Sequence, residues 1–238
     1  TIKATRSGSL KTKQRAYALL GAQSDSVSNK FLAKQLKAVV DGGGAPAVML
    51  DVIEASRLRS ESSIGELVTA YDQSILTAAP LVKYAASLKG GDAKIGEDVF
   101  KNHGAAQCVR CHKVGGDGAD VGPDLTTIGR DRSREYLLEA IVDPGAAIAP
   151  GFGLMVLTRK DGEVVTGLLM EENDQLVSLK MADGKIQDIK KSEIASQQPP
   201  ISGMPPMGYL LNQGEVRDLV AYLSTLKRAP KEDETEHE

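Results

Sequence analysis

The sequence contains no tryptophan, and only 4% of its residues are aromatic. Because 41% of the residues are hydrophobic, the 238-residue chain can still bury a core, which must be mainly aliphatic. No run approaches the roughly 18 to 20 consecutive apolar residues of a membrane-spanning helix. The formal net charge is −3, and no basic stripe is interleaved with aromatic side chains. We therefore expect a globular protein with no membrane span and no nucleic-acid partner.

The two ends of the chain carry no targeting signal that we recognise. The first residue is Thr1 rather than methionine, and no signal-peptide pattern follows it. At the other end, residues 229–238 are rich in acidic side chains, which predicts a disordered acidic tail. We expect the chain to be a mature form or a part of a longer protein.

Only two cysteines are present, which excludes a framework of several disulfides. Both lie in the segment Cys108-Val109-Arg110-Cys111-His112. Two thiols about one helical turn apart can join the two vinyl groups of a haem, and the following histidine can then bind the iron. A structural zinc site needs about four ligands, and a thioredoxin-type dithiol belongs to a βαβ unit, whereas these surroundings are helical. The motif therefore predicts one covalent c-type haem with its iron.

The proximal histidine needs support from a second group. A ligating imidazole usually donates its other ring N–H to an acceptor, which fixes the tautomer of the ring. Pro123 lies a short loop away and offers a carbonyl oxygen but no backbone N–H. The sequence therefore predicts that His112 binds iron and that the Pro123 carbonyl orients it.

The second axial ligand must come from elsewhere in the chain. His103 lies on the helix that approaches the motif, where it does not easily reach the opposite haem face. Of the six methionines, Met204 and Met207 lie in the proline-rich segment 201–208, where prolines stiffen the backbone. Met204 is favoured because Pro205 directly after it restricts its backbone, and Met207 stays the alternative.

Apolar periodicity divides the chain into helical and strand-forming regions. Residues 1–90 read as short helices joined by short loops, which suggests stacked antiparallel hairpins without a clean repeat period. Asp92 is a predicted N-cap, and Asn212 begins a predicted final helix. Two Asp-Gly pairs, at 161–162 and 183–184, predict β-hairpins. The fold class is therefore mainly α with a small β insertion, a sheet or a barrel, whose predicted strands are 152–159, 163–171, 175–181, 185–190 and 193–197.

Four features in this order resemble class I cytochromes c. They are the cysteine–histidine motif, Gly122-Pro123-Asp124-Leu125, Gly203-Met204-Pro205 and the final helix at 215–226. Gly96 and Phe100 opposite Leu219 and Tyr222 resemble that family's crossing of terminal helices. The extra segment at about 152–198, placed before the methionine, resembles the haem-binding domain of large planctomycete- and verrucomicrobium-type proteins related to membrane-bound dehydrogenases.

The resemblance implies a domain organisation and a set of site residues. A HEAT-like helical region is expected at 1–90, followed by a cytochrome c domain at 91–228 that carries the β insertion. The family pattern implies thioether bonds to the two cysteines, and iron bound by the histidine and the methionine of the pattern. Arg130 either faces a haem propionate or is a solvated surface charge. In this sequence the implied site residues are Cys108, Cys111, His112, Pro123, Arg130 and Met204.

The function expected from these features is one-electron transfer by a domain that is not itself an enzyme. Electrons are expected from a redox partner protein or a fused dehydrogenase domain. Covalent haem attachment of this type implies a periplasmic or other extracytoplasmic location, with membrane association possible through a missing part of the chain. The alternative is a haem-based sensor of small gases or a peroxidase, in which the methionine is displaced from the iron.

Overall fold

The computed structural model describes residues 1–227, so the predicted acidic tail at 229–238 lies outside the described residues. The first part of the chain is helical, as its periodicity predicts. Asp25 caps the third helix, because its side chain accepts hydrogen bonds from the backbone N–H groups of Val27 and Ser28. The second helix packs on the fourth, and the third packs on the fifth. These helices are α1 (Ile2–Arg6), α2 (Leu10–Ala22), α3 (Ser26–Val40), α4 (Met49–Arg57), α5 (Ser62–Leu76) and α6 (Pro80–Lys83).

Four further helices surround a second apolar core. Asp92 caps the first of them, and Asn212 with Glu215 forms a capping box at the last, as predicted. The first and last of the four pack closely against each other. A short two-stranded ladder, β1 (Lys113–Val114) and β2 (Asp117–Gly118), forms in the glycine-rich segment after His112. The helices are α7 (Ala93–Asn102), α8 (Ile128–Asp131), α9 (Arg134–Val142) and α10 (Gln213–Leu223).

The predicted β insertion is an antiparallel sheet with a core of its own. The first five strands match the predicted ones closely, and each Asp-Gly pair lies in a turn. The strands follow the order β6-β5-β4-β3-β7, and the short β8 pairs with β3. Among the described residues β6 and β7 do not pair, so the strands form an open sheet rather than a closed barrel. The strands are β3 (Gly153–Arg159), β4 (Val164–Glu172), β5 (Leu176–Lys180), β6 (Ile186–Lys190), β7 (Ile194–Gln197) and β8 (Ile201–Ser202).

The N-terminal helices are joined to the second core by packing and by a buried ion pair. Leu81, Tyr84 and Leu88, from α6 and the turn after it, pack against the core of α7, α9 and α10. Asp51 of α4 pairs with Arg217 of α10, with 3.0 Å between Oδ2 and Nη1. Within residues 1–227, no helix has both the length and the apolar character needed to cross a bilayer.

Candidate haem site

A single tight turn brings the two cysteines and the histidine together. Gln107 has a left-handed backbone (φ 46°), which turns the chain away from α7 and into a 3₁₀ turn at Cys108–Arg110. The backbone N–H groups of Cys111 and His112 both donate to the Cys108 carbonyl oxygen, at 3.0 and 2.9 Å. The two thiols and the imidazole therefore leave one turn of backbone, as attachment to one haem requires.

The two cysteines form no disulfide and lie in different environments. Cys111 is exposed, whereas Cys108 is half-buried against the core of α7, α9 and α10. Burial, with a smaller contribution from the neighbouring Cys111 thiol, raises the pKa of Cys108. Before haem attachment the Cys108 thiol is therefore protonated at neutral pH, and it is the more buried of the two.

The imidazole of His112 is fixed by the loop that follows it. Its Nδ1 atom lies 2.9 Å from the carbonyl oxygen of Pro123. Because a carbonyl can only accept, Nδ1 carries the proton and donates it, which leaves the lone pair on Nε2. This is the tautomer needed for an Nε2 bond to iron.

Gly122 is a further part of this arrangement that the motif alone does not reveal. Its N–H donates to the Cys111 carbonyl oxygen at 2.6 Å, so the loop folds back onto the motif. A Cβ atom at this position would lie 2.7 Å from Cε1 of His112, closer than real Cβ contacts. Only glycine lets the backbone approach the ring this closely. The signal in the sequence is a glycine directly before the acceptor proline.

The two candidate methionines lie in different positions on the same apolar core. Met207 is 6% exposed and is a full member of that core. Met204 is only partly buried, and like Cys108, Val109 and Leu125 it packs against the outside of this core. Met207 therefore fills the interior of the core, and Met204 does so only in part.

Arg130 and His103 both have partners of their own. Arg130, on α8, is exposed, and its Nε atom lies 2.8 Å from Oδ1 of Asp131, which raises the pKa of the guanidinium. Its role towards a haem propionate therefore stays a prediction.

His103 Nδ1 accepts from the N–H of Ala106 at 3.0 Å, and its Nε2 lies 3.6 Å from Oε1 of Glu215. Both nitrogens of His103 are thus engaged at the end of α7.

Comparison with known protein families identifies the segment that contains the cysteine–histidine motif. Residues 93–179 match the family model for cytochrome c. The chain contains a cytochrome c domain. The domain implies a covalently bound haem c with its iron, and it indicates haem-based electron transfer to or from a redox partner. The match includes the cysteine–histidine motif and Pro123, and Met204 lies beyond it. No curated protein matches the chain.

The residues present fit a haem c. Two free thiols lie one turn apart, and the imidazole beside them has a fixed tautomer with Nε2 available. Cys108 packs against the same core as several partly buried apolar side chains, and such side chains can cover the flat faces of a macrocycle and exclude water. These side chains, which pack against the core without being fully buried in it, are Val109, Val114, Leu125, Ile128 and Met204.

Proposed function

We propose that this chain transfers single electrons through its covalent haem, with His112 and Met204 as the two axial ligands of the iron. The observation that carries the proposal is the 2.9 Å hydrogen bond between His112 Nδ1 and the Pro123 carbonyl. A histidine held in this way keeps one tautomer and one ring orientation, which a permanent axial ligand needs. Met204 is a partly exposed methionine that packs, like Cys108, against the core of α7, α9 and α10, and this supports it as the second ligand.

Each of these residues has a distinct part in the transfer. The bound haem supplies an iron centre that gains and loses one electron. Cys108 and Cys111 hold the group covalently, and His112 supplies a nitrogen ligand whose basicity is increased by its bond to Pro123. A methionine thioether is a soft ligand that raises the reduction potential. With both axial positions supplied by the chain, small molecules have no open site, which favours electron transfer over substrate chemistry.

We propose a wider context from the same features. The combination of a β insertion at about 152–198 and preceding helices supports membership of the planctomycete/verrucomicrobium-type haem-binding domains. The packing of α2 on α4 and of α3 on α5 is what two stacked helical hairpins produce, and it supports a HEAT-like region at 1–90. A cytochrome c domain at 91–228 then accepts electrons from a dehydrogenase, fused or separate, in an extracytoplasmic location. Contacts with a separate redox partner are expected to be small and transient.

The visible spectrum of the ferric protein tests the axial ligands directly. We expect the wild type to show the weak far-red band that marks a bond between ferric haem iron and methionine sulfur. Met204→Ala should abolish this band. Met207→Ala is the matched control and should keep the band, although it should lower the free energy of unfolding by about 2 to 5 kcal/mol because it empties a core position. Covalent haem content, measured after denaturation, should be equal in all three proteins.

Two outcomes would contradict this assignment. If the band survives in Met204→Ala and disappears in Met207→Ala, Met207 is the ligand. If the wild type lacks the band and shows a high-spin spectrum, the iron has an open position. The protein would then be a better candidate for small-gas binding or peroxide chemistry than for electron transfer.

A further inference from the structure

We propose that the β insertion positions Met204, and that Ser202 is the positioning residue through which it does so. The inference rests on the proposed function, because it concerns how the methionine ligand is held. Its evidence is independent of the haem and comes from the strand pairing, the packing and the hydrogen bonds around residues 200–204.

The two ends of the insertion are joined next to Met204. Strand β8 pairs antiparallel with the beginning of β3, so that Gly153 lies opposite Ser202 and Leu154 lies opposite Ile201. We call this pairing the stem. Strand β3 is also paired with β4 along most of its length and with β7. The stem is therefore part of a continuous sheet, and Met204 follows it by only two residues.

Close packing reinforces the stem from one side. A Cβ atom at Gly153 would lie 2.9 Å from Cβ of Pro200 and 3.2 Å from Cγ2 of Ile148. Both distances are shorter than ordinary van der Waals contact, so the chain entering β8 lies directly against the backbone of β3. A side chain at position 153 would push Pro200, and with it the start of β8, away from the sheet.

Ser202 connects the stem to the ligand residue. Its hydroxyl oxygen accepts a hydrogen bond from the backbone N–H of Met204 at 3.1 Å. This short serine turn fixes the direction in which the chain leaves the sheet. Within the described part of the chain, it is also the only side-chain hydrogen bond made to residues 203–206.

The segment around Met204 has little else to fix it on this side. Gly203, Pro205 and Pro206 are exposed, and Met204 itself is only partly buried. On the other side, the Pro206 carbonyl accepts a backbone hydrogen bond from Tyr209 at 3.3 Å, and Met207 is buried in the core. Among the described residues, the nearest side-chain hydrogen bond on that side is donated by the Tyr84 hydroxyl to the Gly208 carbonyl oxygen at 2.8 Å. Met204 therefore lies between the stem on one side and the buried Met207 with its following turn on the other, and Ser202 is the side chain that bonds Met204 itself.

The stem also explains how a long insertion is compatible with a fixed methionine. A flexible segment of this length between His112 and Met204 would make the two ligands harder to hold together, because the entropy cost of closing a loop grows with its length. Pairing the insertion's ends removes its interior from that loop. We infer that the insertion acts as a rigid support for the methionine.

Competition by imidazole for the iron tests this inference in the complete ferric holoprotein. Imidazole can bind only when Met204 leaves, so its apparent affinity reports how firmly the methionine is held. Ser202→Ala should bind imidazole about three- to tenfold more tightly than the wild type, since one neutral hydrogen bond is lost. Gly153→Ala, which disturbs the stem itself, should change the affinity in the same direction.

Two matched variants separate positioning from general destabilisation. Ser196→Ala changes an exposed serine on β7, which also pairs with β3, and it should leave the imidazole affinity at the wild-type value. Ser202→Thr keeps the hydroxyl group and should therefore bind imidazole with the wild-type affinity. The amide proton of Met204 should exchange with solvent faster in Ser202→Ala than in Ser196→Ala or Ser202→Thr, by about the same three- to tenfold factor as the imidazole affinity changes.

The possible failures are distinguishable. If the wild type has the iron–methionine band and Ser202→Ala binds imidazole no more tightly than Ser196→Ala, the inference is overturned and Met204 ligation stands. If the wild type has no such band, the proposed axial ligation fails as well, and with it the role assigned to Ser202.

Discussion

Gly96 lies where α7 and α10 come closest, and replacing it with alanine should destabilise the protein strongly. A Cβ atom on Gly96 would lie 2.8 Å from Cβ of Tyr222 and would collide with the carbonyl group of Asp218. Neither neighbour can turn aside, because one is helix backbone and the other is the first side-chain atom. The two helices would have to move apart along their whole contact.

The expected cost follows from this geometry. Ordinary van der Waals contact begins at 3.4 Å, so even the Tyr222 contact is too short by 3.4 − 2.8 = 0.6 Å. Overpacking of a well-packed core typically costs about 1 to 3 kcal/mol. We expect Gly96→Ala to lie at the upper end, near 3 kcal/mol, because the separation also disturbs the contact of Phe100 with Tyr222, whose ring centroids are 5.7 Å apart.

Urea unfolding followed by far-ultraviolet circular dichroism measures this change. The matched control is Gly65→Ala, which makes the same substitution in α5, where a Cβ atom would meet nothing within 4 Å. Alanine is the better helix former, so Gly65→Ala should raise the free energy of unfolding by about 1 kcal/mol. The same change of residue should therefore have opposite signs at the two positions.

A Gly96→Ala protein as stable as the wild type would refute this reasoning. It would mean that α7 and α10 are not held at the distance described, or that their contact contributes little to stability. Loss of stability in both variants would point instead to an effect of alanine that does not depend on the helix contact.

Two further changes test the contacts between the N-terminal helices and the later part of the chain. Burial raises the pKa of Asp51, although the nearby Arg217 opposes this, so folding favours the protonated carboxyl group. Asp51 therefore stabilises the fold at a pH below its ordinary pKa, and this stabilisation is lost as the pH rises. The free energy of unfolding of Asp51→Asn, relative to wild type, should therefore increase as the pH rises above about 4; a flat difference in urea unfolding would contradict this. Tyr84→Phe should lower the free energy of unfolding by about 1 kcal/mol, because the Gly208 carbonyl loses its donor. Tyr209→Phe, at an 89% exposed position, should not change it.

Much of the local structure could be predicted because its causes are local. The Asp-Gly turns and the alternating pattern define the first five strands of the sheet, and the capping residues Asp92 and Asn212 define where α7 and α10 begin. The cysteine–histidine motif has a fixed chemistry, so its cofactor follows from five consecutive residues, and the match to the cytochrome c family supports it.

The features that could not be predicted depend on residues far apart in the chain. Strand β8 has only two residues and no pattern of its own, so it exists because β3 offers it an edge. The ion pair between Asp51 and Arg217 and the hydrogen bond from Tyr84 to Gly208 each join residues more than a hundred positions apart. No periodicity or turn signal in the sequence identifies such a pair in advance.

The two sides of the candidate site are supported in different ways. The histidine side of the site is supported by the loop that directly follows it. Gly122 donates to the Cys111 carbonyl oxygen, and the Pro123 carbonyl oxygen accepts from His112, about ten residues earlier in the chain. The methionine segment is instead bonded by residues of other elements, namely Ser202 at the edge of the sheet and Tyr84 in the turn after α6. If Met204 is the second iron ligand, as proposed, its soft thioether makes the weaker axial bond, which is the more sensitive to backbone position. Changes in the sheet or in the N-terminal helices should therefore alter the redox properties through Met204, while leaving covalent attachment and the His112–Pro123 bond unchanged.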